Sequence, residues 1–352
     1  MNKVYFTSGG SESVEAAWKM AVQWQQAMGH ERRRKVIARK DAYHGVTMGA
    51  LSFTGIPVCR TPFDPLGIPT VHVSNTSSYR HPYGDDEAAF CQALLDEVEE
   101  TIEFEDPSTI AMMIAEPVQN AGGCFMPPAG YWQGLREICD RYGILLCSDE
   151  VICAYGRIGT WFGGLKFDYV PDLVTFAKGL TGAHFSMGGV LMSDKVAEPY
   201  FDGRADYNNG YTFGGHPVGS AVALKALEIL ERENVLENVN ANAPAAEQAL
   251  KSLLDIPIVG EVRGTGHFWA IEVVRDQETK EPFKGEAAED LFKNVLTEAL
   301  FDRGLLCRLD DRADPIIQIA PPLIAEAELF GEIASILREG LEITAQRAGV
   351  TG

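Results

Sequence analysis

Short apolar runs alternate with helix-like periods through the first two thirds of this 352-residue chain. Residues 4–6, 35–38, 70–73, 110–115, 144–147, 173–176 and 190–192 read as strands, with helical periods starting at Ser11 and running over 87–101 among them. Strands that are short and apolar on both faces, separated by helices, predict a mostly parallel sheet covered on each side. The pattern changes near Gly215, where two helical periods, 216–233 and 237–254, follow one another without a strand. Strands at 258–262 and 267–274, a helix over 287–303, strands near Leu305 and Ile316, and a last helix over 326–346 complete the chain. That last helix puts Leu329, Ile333, Ile336 and Leu337 on one face. The expected fold class is α/β, with a large domain over 1–235 and a smaller C-terminal α+β domain over 236–352. No repeat, low-complexity tract or long Pro/Gly linker interrupts it.

Composition bears on partners more than on fold. At 46% hydrophobic and 23% charged residues, the chain is an ordinary globular sequence, which excludes disorder and fibres. Fifty acidic against thirty basic residues give a net charge of −20. Such a field repels phosphate backbones and anionic lipid, so neither nucleic acid nor membrane is an expected partner. The longest apolar stretches, such as 110–115, fall far below the roughly 20 residues that cross a bilayer. The run after Met1 is too short for the apolar core of a signal peptide, and a cytoplasmic location is expected. Seven scattered cysteines without a C-x-x-C pair argue against a disulfide framework or zinc knuckle, and no metal site is read. They are expected to be small buried apolar side chains in a reducing compartment.

Three features carry chemistry. Thr7-Ser8-Gly9-Gly10-Ser11-Glu12 lies between a strand and the helical period Val14, Ala17, Trp18, Ala21. Glycines at such a turn let backbone N–H groups approach an anion, and the helix dipole favours it; a plain helix start with a serine cap is the bland alternative. The strand at 144–147 delivers Ser148-Asp149-Glu150 to its carboxyl end, the edge where open α/β sheets bind ligands. Asp149 is there either a desolvated functional carboxylate or a loop cap. The strand at 173–176 leads to Lys178-Gly179, and a lysine leaving a buried strand would be partly desolvated and hence nucleophilic, against the alternative of a snorkelling surface lysine. A phosphate cradle, a carboxylate and a strand-end lysine together are what pyridoxal phosphate requires.

These runs, with Tyr43-His44-Gly45, Glu116-Pro117-Val118, Gly210-Tyr211-Thr212-Phe213-Gly214-Gly215-His216-Pro217 and Ala320-Pro321-Pro322-Leu323, resemble the class III aminotransferases of fold type I, in the family's order and over nearly the whole chain. The resemblance implies that Lys178 bonds the cofactor and shuttles the substrate proton, and that Asp149 faces the pyridinium nitrogen. Val151 would pack under the ring and Tyr43 over it, while Gly10 and Ser11 bind the phosphate. Tyr211 and Thr212 match a pair that reaches the phosphate from the neighbouring subunit, which implies a homodimer. Arg308 resembles the mobile arginine that takes a keto acid's carboxylate, and Glu116 the carboxylate that parks it in some members, with an ordinary surface ion pair as the alternative for either. His44 is assigned no chemistry.

Members that use 2-oxoglutarate usually carry Asp-Glu-Val-Gln-Thr-Gly, where this chain has Asp149-Glu150-Val151-Ile152-Cys153-Ala154. The apolar Ile152 resembles the pyruvate-using omega-transaminase branch. The implied reaction is transfer of an amino group from an ω-amino acid or amine to a keto acid, namely pyruvate. Family members also carry a segment before the Ser-Gly-Gly-Ser-Glu run, whereas Met1 lies seven residues before Ser8. The sequence is read as lacking that segment, either because the true start lies upstream or because this is a shortened relative. A 2-oxoglutarate-using, aminomutase or decarboxylating member and a truncated, non-catalytic cofactor-binding paralogue are the competing readings.

Overall fold

A computed structural model describes residues 1–310 and 314–350. Two compact units emerge. The first comprises Met1–Asn120, Pro127–Tyr155 and Thr160–Glu233, and the second Ala121–Met126, Gly156–Gly159 and Asn234–Gly352. Two short pieces from earlier in the chain therefore fold with the C-terminal part.

The first unit is built on seven strands: β1 (Lys3–Thr7), β2 (Lys35–Arg39), β3 (Thr70–Val73), β4 (Ile110–Ala115), β5 (Leu145–Asp149), β6 (Leu173–Phe176) and β7 (Gly188–Met192). Their order in the sheet is β1-β7-β6-β5-β4-β2-β3. Neighbours from β6 through β3 pair parallel, and β7 runs antiparallel to both β6 and β1. The sheet is thus mostly parallel, with one reversed strand. Every residue of β4, β5 and β6 is buried, which is why these segments read as continuous apolar runs. Helix Gly10–Ala27 covers one face through Val14, Ala17, Met20 and Ala21; helices Glu87–Phe104 and Tyr131–Tyr142 cover the other.

One strand departs from the expectation of double burial. At the edge, β1 alternates, with Tyr5 and Thr7 turned inward and Val4 and Phe6 substantially exposed. β7 begins two residues earlier than its apolar run because Gly188 and Gly189 must be small. A Cβ on Gly189 would stand 2.5 Å from the Phe176 ring, and one on Gly188 2.8 Å from the Phe176 carbonyl oxygen.

The second unit has strands β8 (Val259–Thr265), β9 (Phe268–Asp276), β10 (Glu281–Pro282), β11 (Arg308–Asp310) and β12 (Ile316–Ile319). All its pairings are antiparallel, in the order β10-β9-β12-β11 with β8 also on β9. Helices Val235–Lys251 and Ala327–Ala348 pack on it, burying Leu250, Phe330, Ile333, Leu337 and Leu341. Arg263 ties the early piece into this unit. Its guanidinium donates to the carbonyls of Gly122 and Gly123 and is paired with Glu261 and the buried Glu272.

Two sequence expectations shift here. The single helix over 287–303 is instead Gly285–Asp290, a wider turn Leu291–Leu296, and Thr297–Phe301. The Thr297 hydroxyl bonds the carbonyl of Phe292, five residues back, at 2.6 Å. Leu305 is not a strand residue. Gly304 turns left-handed at φ 84° and the Leu305 N–H returns to the Leu300 carbonyl, closing the helix, so the strand starts at Arg308. Of the cysteines, Cys59 and Cys307 are half-buried and the other five buried.

Candidate functional site

The carboxyl ends of the parallel strands and the start of the first helix surround a cavity of about 140 Å³ in the first unit. It is lined by Gly10, Ser11, Tyr43, His44, Gly45, Glu116, Asp149, Val151, Ile152, Cys153 and Lys178. Seven of the expected site residues meet there: Gly10, Ser11, Tyr43, Glu116, Asp149, Val151 and Lys178.

Asp149 ends β5 and is buried. Its Oδ2 lies 2.7 Å from His44 Nδ1, and because the carboxylate accepts only, the imidazole donates. Oδ1 accepts from the Thr175 hydroxyl at 3.0 Å and from the Val151 N–H at 3.2 Å. Thr175 can do this because the parallel register sets it directly beside Asp149. His44 is itself buried; its N–H bonds the Thr54 hydroxyl, which donates to the Gly45 carbonyl. Both of its partners and its place in the cavity make His44 a site residue that sequence reasoning left without a role. The available signals were its position beside Tyr43 and the lone hydroxyl of Thr175 in an otherwise apolar strand.

The helix start forms an open cradle. The first helical bond runs from Ser13 N–H to Gly9 O, and no side chain caps the helix, so the N–H groups of Gly10, Ser11 and Glu12 lack an intrahelical acceptor. The serine-cap alternative does not hold, since Ser11 lies within the first turn and its oxygen accepts from the Val46 N–H at 3.3 Å. Space is tight around this turn. A Cβ on Gly45, whose φ is 121°, would meet Ser11 Oγ at 2.3 Å, and one on Gly10 would meet Val151 at 3.1 Å.

Lys178 follows β6 at the first residue of a short turn, with φ 32°. The chain is buried through Ala177 and swings outward there, so Lys178 is exposed, contrary to the desolvation expected of it. Lys178 is nonetheless one of the residues that line the cavity.

Two more carboxyls are sealed beside Asp149. Glu116 accepts from the N–H groups of Asn120 at 2.9 Å and Tyr43 at 3.3 Å. It is deeply buried, so the surface-pair alternative does not apply. Burial pushes its pKa upward, opposed by His44 and Arg39 and reinforced by Asp149. Glu150 is pushed up to about 7, chiefly by burial; N–H groups of Gly163 and Gly164 and the Ser148 hydroxyl oppose the shift, and Asp149 adds to it. Gly163 must lack a side chain there, since a Cβ would stand 2.3 Å from Pro117.

Three expected residues lie elsewhere. Tyr211 is half-buried against its own chain, its hydroxyl 3.3 Å from the Glu12 carbonyl, and Thr212 is exposed; neither lines the cavity. Tyr207 and Tyr200 make the same kind of bond to Ala16 and Met20, so three tyrosine hydroxyls strap this segment along successive turns of one helix face. Arg308 belongs to the second unit, paired with Asp310 at 2.7 Å.

The family model of the class III aminotransferases matches residues 1–341. The chain belongs to that family. A probable aminotransferase of Mycobacterium tuberculosis is 49% identical over 347 residues, 99% of this chain and 74% of that protein. Mitochondrial gamma aminobutyrate transaminase 1 of Solanum lycopersicum is 35% identical over 99% of this chain and 67% of its own length. Among solved structures, an (S)-enantioselective omega-transaminase from Thermomicrobium roseum matches with a TM-score of 0.92 at 40% identity, covering 97% of this chain and 75% of that one. The omega transaminase from Pseudomonas jessenii in complex with PMP matches at 0.92 and 33% identity, over 100% of this chain and 77% of that one.

This aminotransferase is therefore a pyridoxal-phosphate-dependent transaminase of fold type I. The residues present fit the cofactor: one cavity is lined by the first residues of a helix that no side chain caps, by a buried carboxylate and by a lysine. No helix of the described residues is long and apolar enough to cross a membrane.

His44→Phe removes a charge-assisted bond to a buried carboxylate, typically about 1.5–3 kcal/mol. Cofactor affinity, titrated by absorbance, should fall about 10- to 100-fold, with His44→Asn recovering part of the loss. Glu150 acts on stability. Its folded carboxyl holds the proton more tightly than an unfolded one, so its contribution is complete below about 4.5 and is lost as pH rises through about 7. Glu150→Gln should flatten that decline in the denaturation midpoint and exceed the parent above pH 7 by up to about 3 kcal/mol. An unchanged slope would show that Glu150 does not titrate in this window.

Proposed function

We propose that this transaminase moves an amino group from an ω-amino acid or amine to pyruvate. The observation that carries the acceptor choice is Ile152, an apolar side chain in the lining of the cavity at the position where the 2-oxoglutarate-using members resembled in sequence have glutamine. The donor class draws support from relatives named as gamma aminobutyrate transaminases and from structural neighbours named as omega or amine transaminases.

Bound pyridoxal phosphate supplies an electron sink for the carbon that carries the amino group. The chain's own residues do the rest. Gly10 and Ser11 offer N–H donors and a hydroxyl to the phosphate, at the positive end of a helix dipole. Asp149, held by His44 and Thr175, presents its carboxylate to the pyridine nitrogen and favours the protonated ring. Lys178 would hold the cofactor through its Nζ, and that amine, released when the substrate's amino group takes its place, would carry the proton off the substrate carbon and return it. Val151 would pack below the ring, its side chain standing where a Cβ on Gly10 would meet it at 3.1 Å, and Tyr43 would cover the other face. Arg308 takes the substrate carboxylate, which a planar guanidinium grips with two parallel bonds.

Tyr211 and Thr212 serve a second copy of the chain, a reading supported by the exposure of Thr212 and the strapping of its segment by Tyr200, Tyr207 and Tyr211. The working unit is then a homodimer. The large cofactor domain is taken over 1–235 and the small domain over 236–352, with the pieces Ala121–Met126 and Gly156–Gly159 of the first stretch folding in the second unit. Seven free thiols accord with a cytoplasmic, reducing setting.

A panel of amines and ω-amino acids, assayed with pyruvate and 2-oxoglutarate as alternative acceptors, tests the reading. Pyruvate should be favoured at least about tenfold in kcat/KM, the size of effect that one misplaced polar or apolar contact produces. Equal use of 2-oxoglutarate would refute the acceptor assignment. Product without keto-acid consumption would indicate a mutase instead.

A further inference from the structure

Glu15 lies on the first helix four residues after Ser11, so the two side chains share a face. Both reach the segment that follows Tyr43 and His44. Ser11 Oγ accepts from the Val46 N–H, and Glu15 Oε1 accepts from the Thr47 hydroxyl at 2.6 Å and from the N–H groups of Gly49 and Ala50 at 2.9 and 3.2 Å. Gly49 and Ala50 stand in the first turn of the short helix Met48–Phe53, which the Thr47 side chain does not cap. A carboxylate from the neighbouring helix takes the place of that cap and satisfies two N–H groups that lack an acceptor in their own helix. The approach is close, since a Cβ on Gly49 would stand 2.8 Å from the same oxygen. The other end of the short helix meets the site. Thr54, the residue after it, accepts from the His44 N–H and donates to the Gly45 carbonyl, each at 2.9 Å.

We propose that Glu15 is a positioning residue for the cofactor, acting through the short helix to hold His44 against Asp149. The inference rests on the reading of His44 as the residue that holds Asp149 toward the pyridine nitrogen. The short helix is fixed at its start by Glu15 and at its end carries Thr54, whose hydroxyl grips both His44 and Gly45. Only Gly45 and Val46 separate His44 from Thr47, so a shift at the anchored end has little chain in which to be absorbed. The carboxylate also carries a charge of the wrong sign. One turn along from a phosphate cradle it repels the anion, so Glu15 favours binding only where its anchoring outweighs that repulsion. The two effects separate by substitution, since glutamine keeps the acceptor oxygen without the charge and alanine removes both. Glu15 touches no reacting atom in this scheme and acts only through the segment it holds.

Cofactor-loaded protein is equilibrated against decreasing free pyridoxal phosphate, and the bound fraction is read by absorbance. The parent is compared with Glu15→Ala, Glu15→Gln, His44→Phe and the double variant His44→Phe/Glu15→Ala. Glu15→Ala should weaken binding about tenfold, the loss of hydrogen bonds to a charged acceptor. Glu15→Gln should stay within about threefold of the parent, because the acceptor remains and the repulsion is gone. In the His44→Phe background the alanine substitution should cost about threefold or less, since two changes along one route do not add. A purely structural role would show the same loss in both backgrounds. Should Glu15→Ala fail to fold, Glu15→Asp, which keeps the charge and shortens the reach, takes its place with the same expectation. Binding by the alanine variant as tight as the parent's overturns the proposal, as does an equal loss in both backgrounds or a tenfold loss in Glu15→Gln. If His44→Phe alone binds undiminished, the assignment of His44 fails first and the inference fails with it.

Discussion

A carboxylate carried out of water at the end of a buried strand must find charged or hydrogen-bonding partners, and the site of the first unit follows from how Asp149 finds them. His44 answers one oxygen, Thr175 and the Val151 N–H the other. Each partner comes from a different stretch of chain, so the one requirement draws together the loop after β2, the strand β6 and the turn after β5. The loop that brings His44 is anchored in turn. Gly45 passes too close to Ser11 for any side chain, and Glu15 on the first helix accepts the N–H groups of Gly49 and Ala50 and the Thr47 hydroxyl. The cradle at the helix start and the histidine that holds the carboxylate are thereby parts of one packed assembly.

The arrangement accumulates acid around the cavity. Glu116 and Glu150 are buried beside Asp149, and burial raises the pKa of both. In both, burial disfavours the charged form. In a chain of net charge −20, an anion in this cavity would meet the uncapped start of the first helix, where Gly10 and Ser11 stand. Binding an anion against the overall field depends on short-range dipoles and hydrogen bonds rather than on net charge.

Much of this was legible in the sequence because buried parallel strands leave a strong signature. The strands at 110–115 and 173–176 appear where mostly apolar runs placed them, and residues after their carboxyl ends meet at the cavity as that topology demands. The parts that were not legible depend on contacts remote in sequence. Nothing local to His44 announces a partner 105 positions away, and the register that sets Thr175 beside Asp149 exists only in the folded sheet. The exposed face of β1 was hidden because an edge position is a property of the sheet, not of Val4 and Phe6 themselves. The end of the helix near Gly304 was misplaced for a simpler reason: a glycine-closed helix and the start of a strand both read as apolar residues after a glycine.

The account stands or falls on whether this cavity holds pyridoxal phosphate through Lys178. Borohydride reduction of the cofactor-loaded protein, followed by peptide mass spectrometry, tests that directly. The account predicts one pyridoxyl-modified peptide, carrying its label on Lys178. Stoichiometric labelling at another lysine, with Lys178 unmodified, would contradict it.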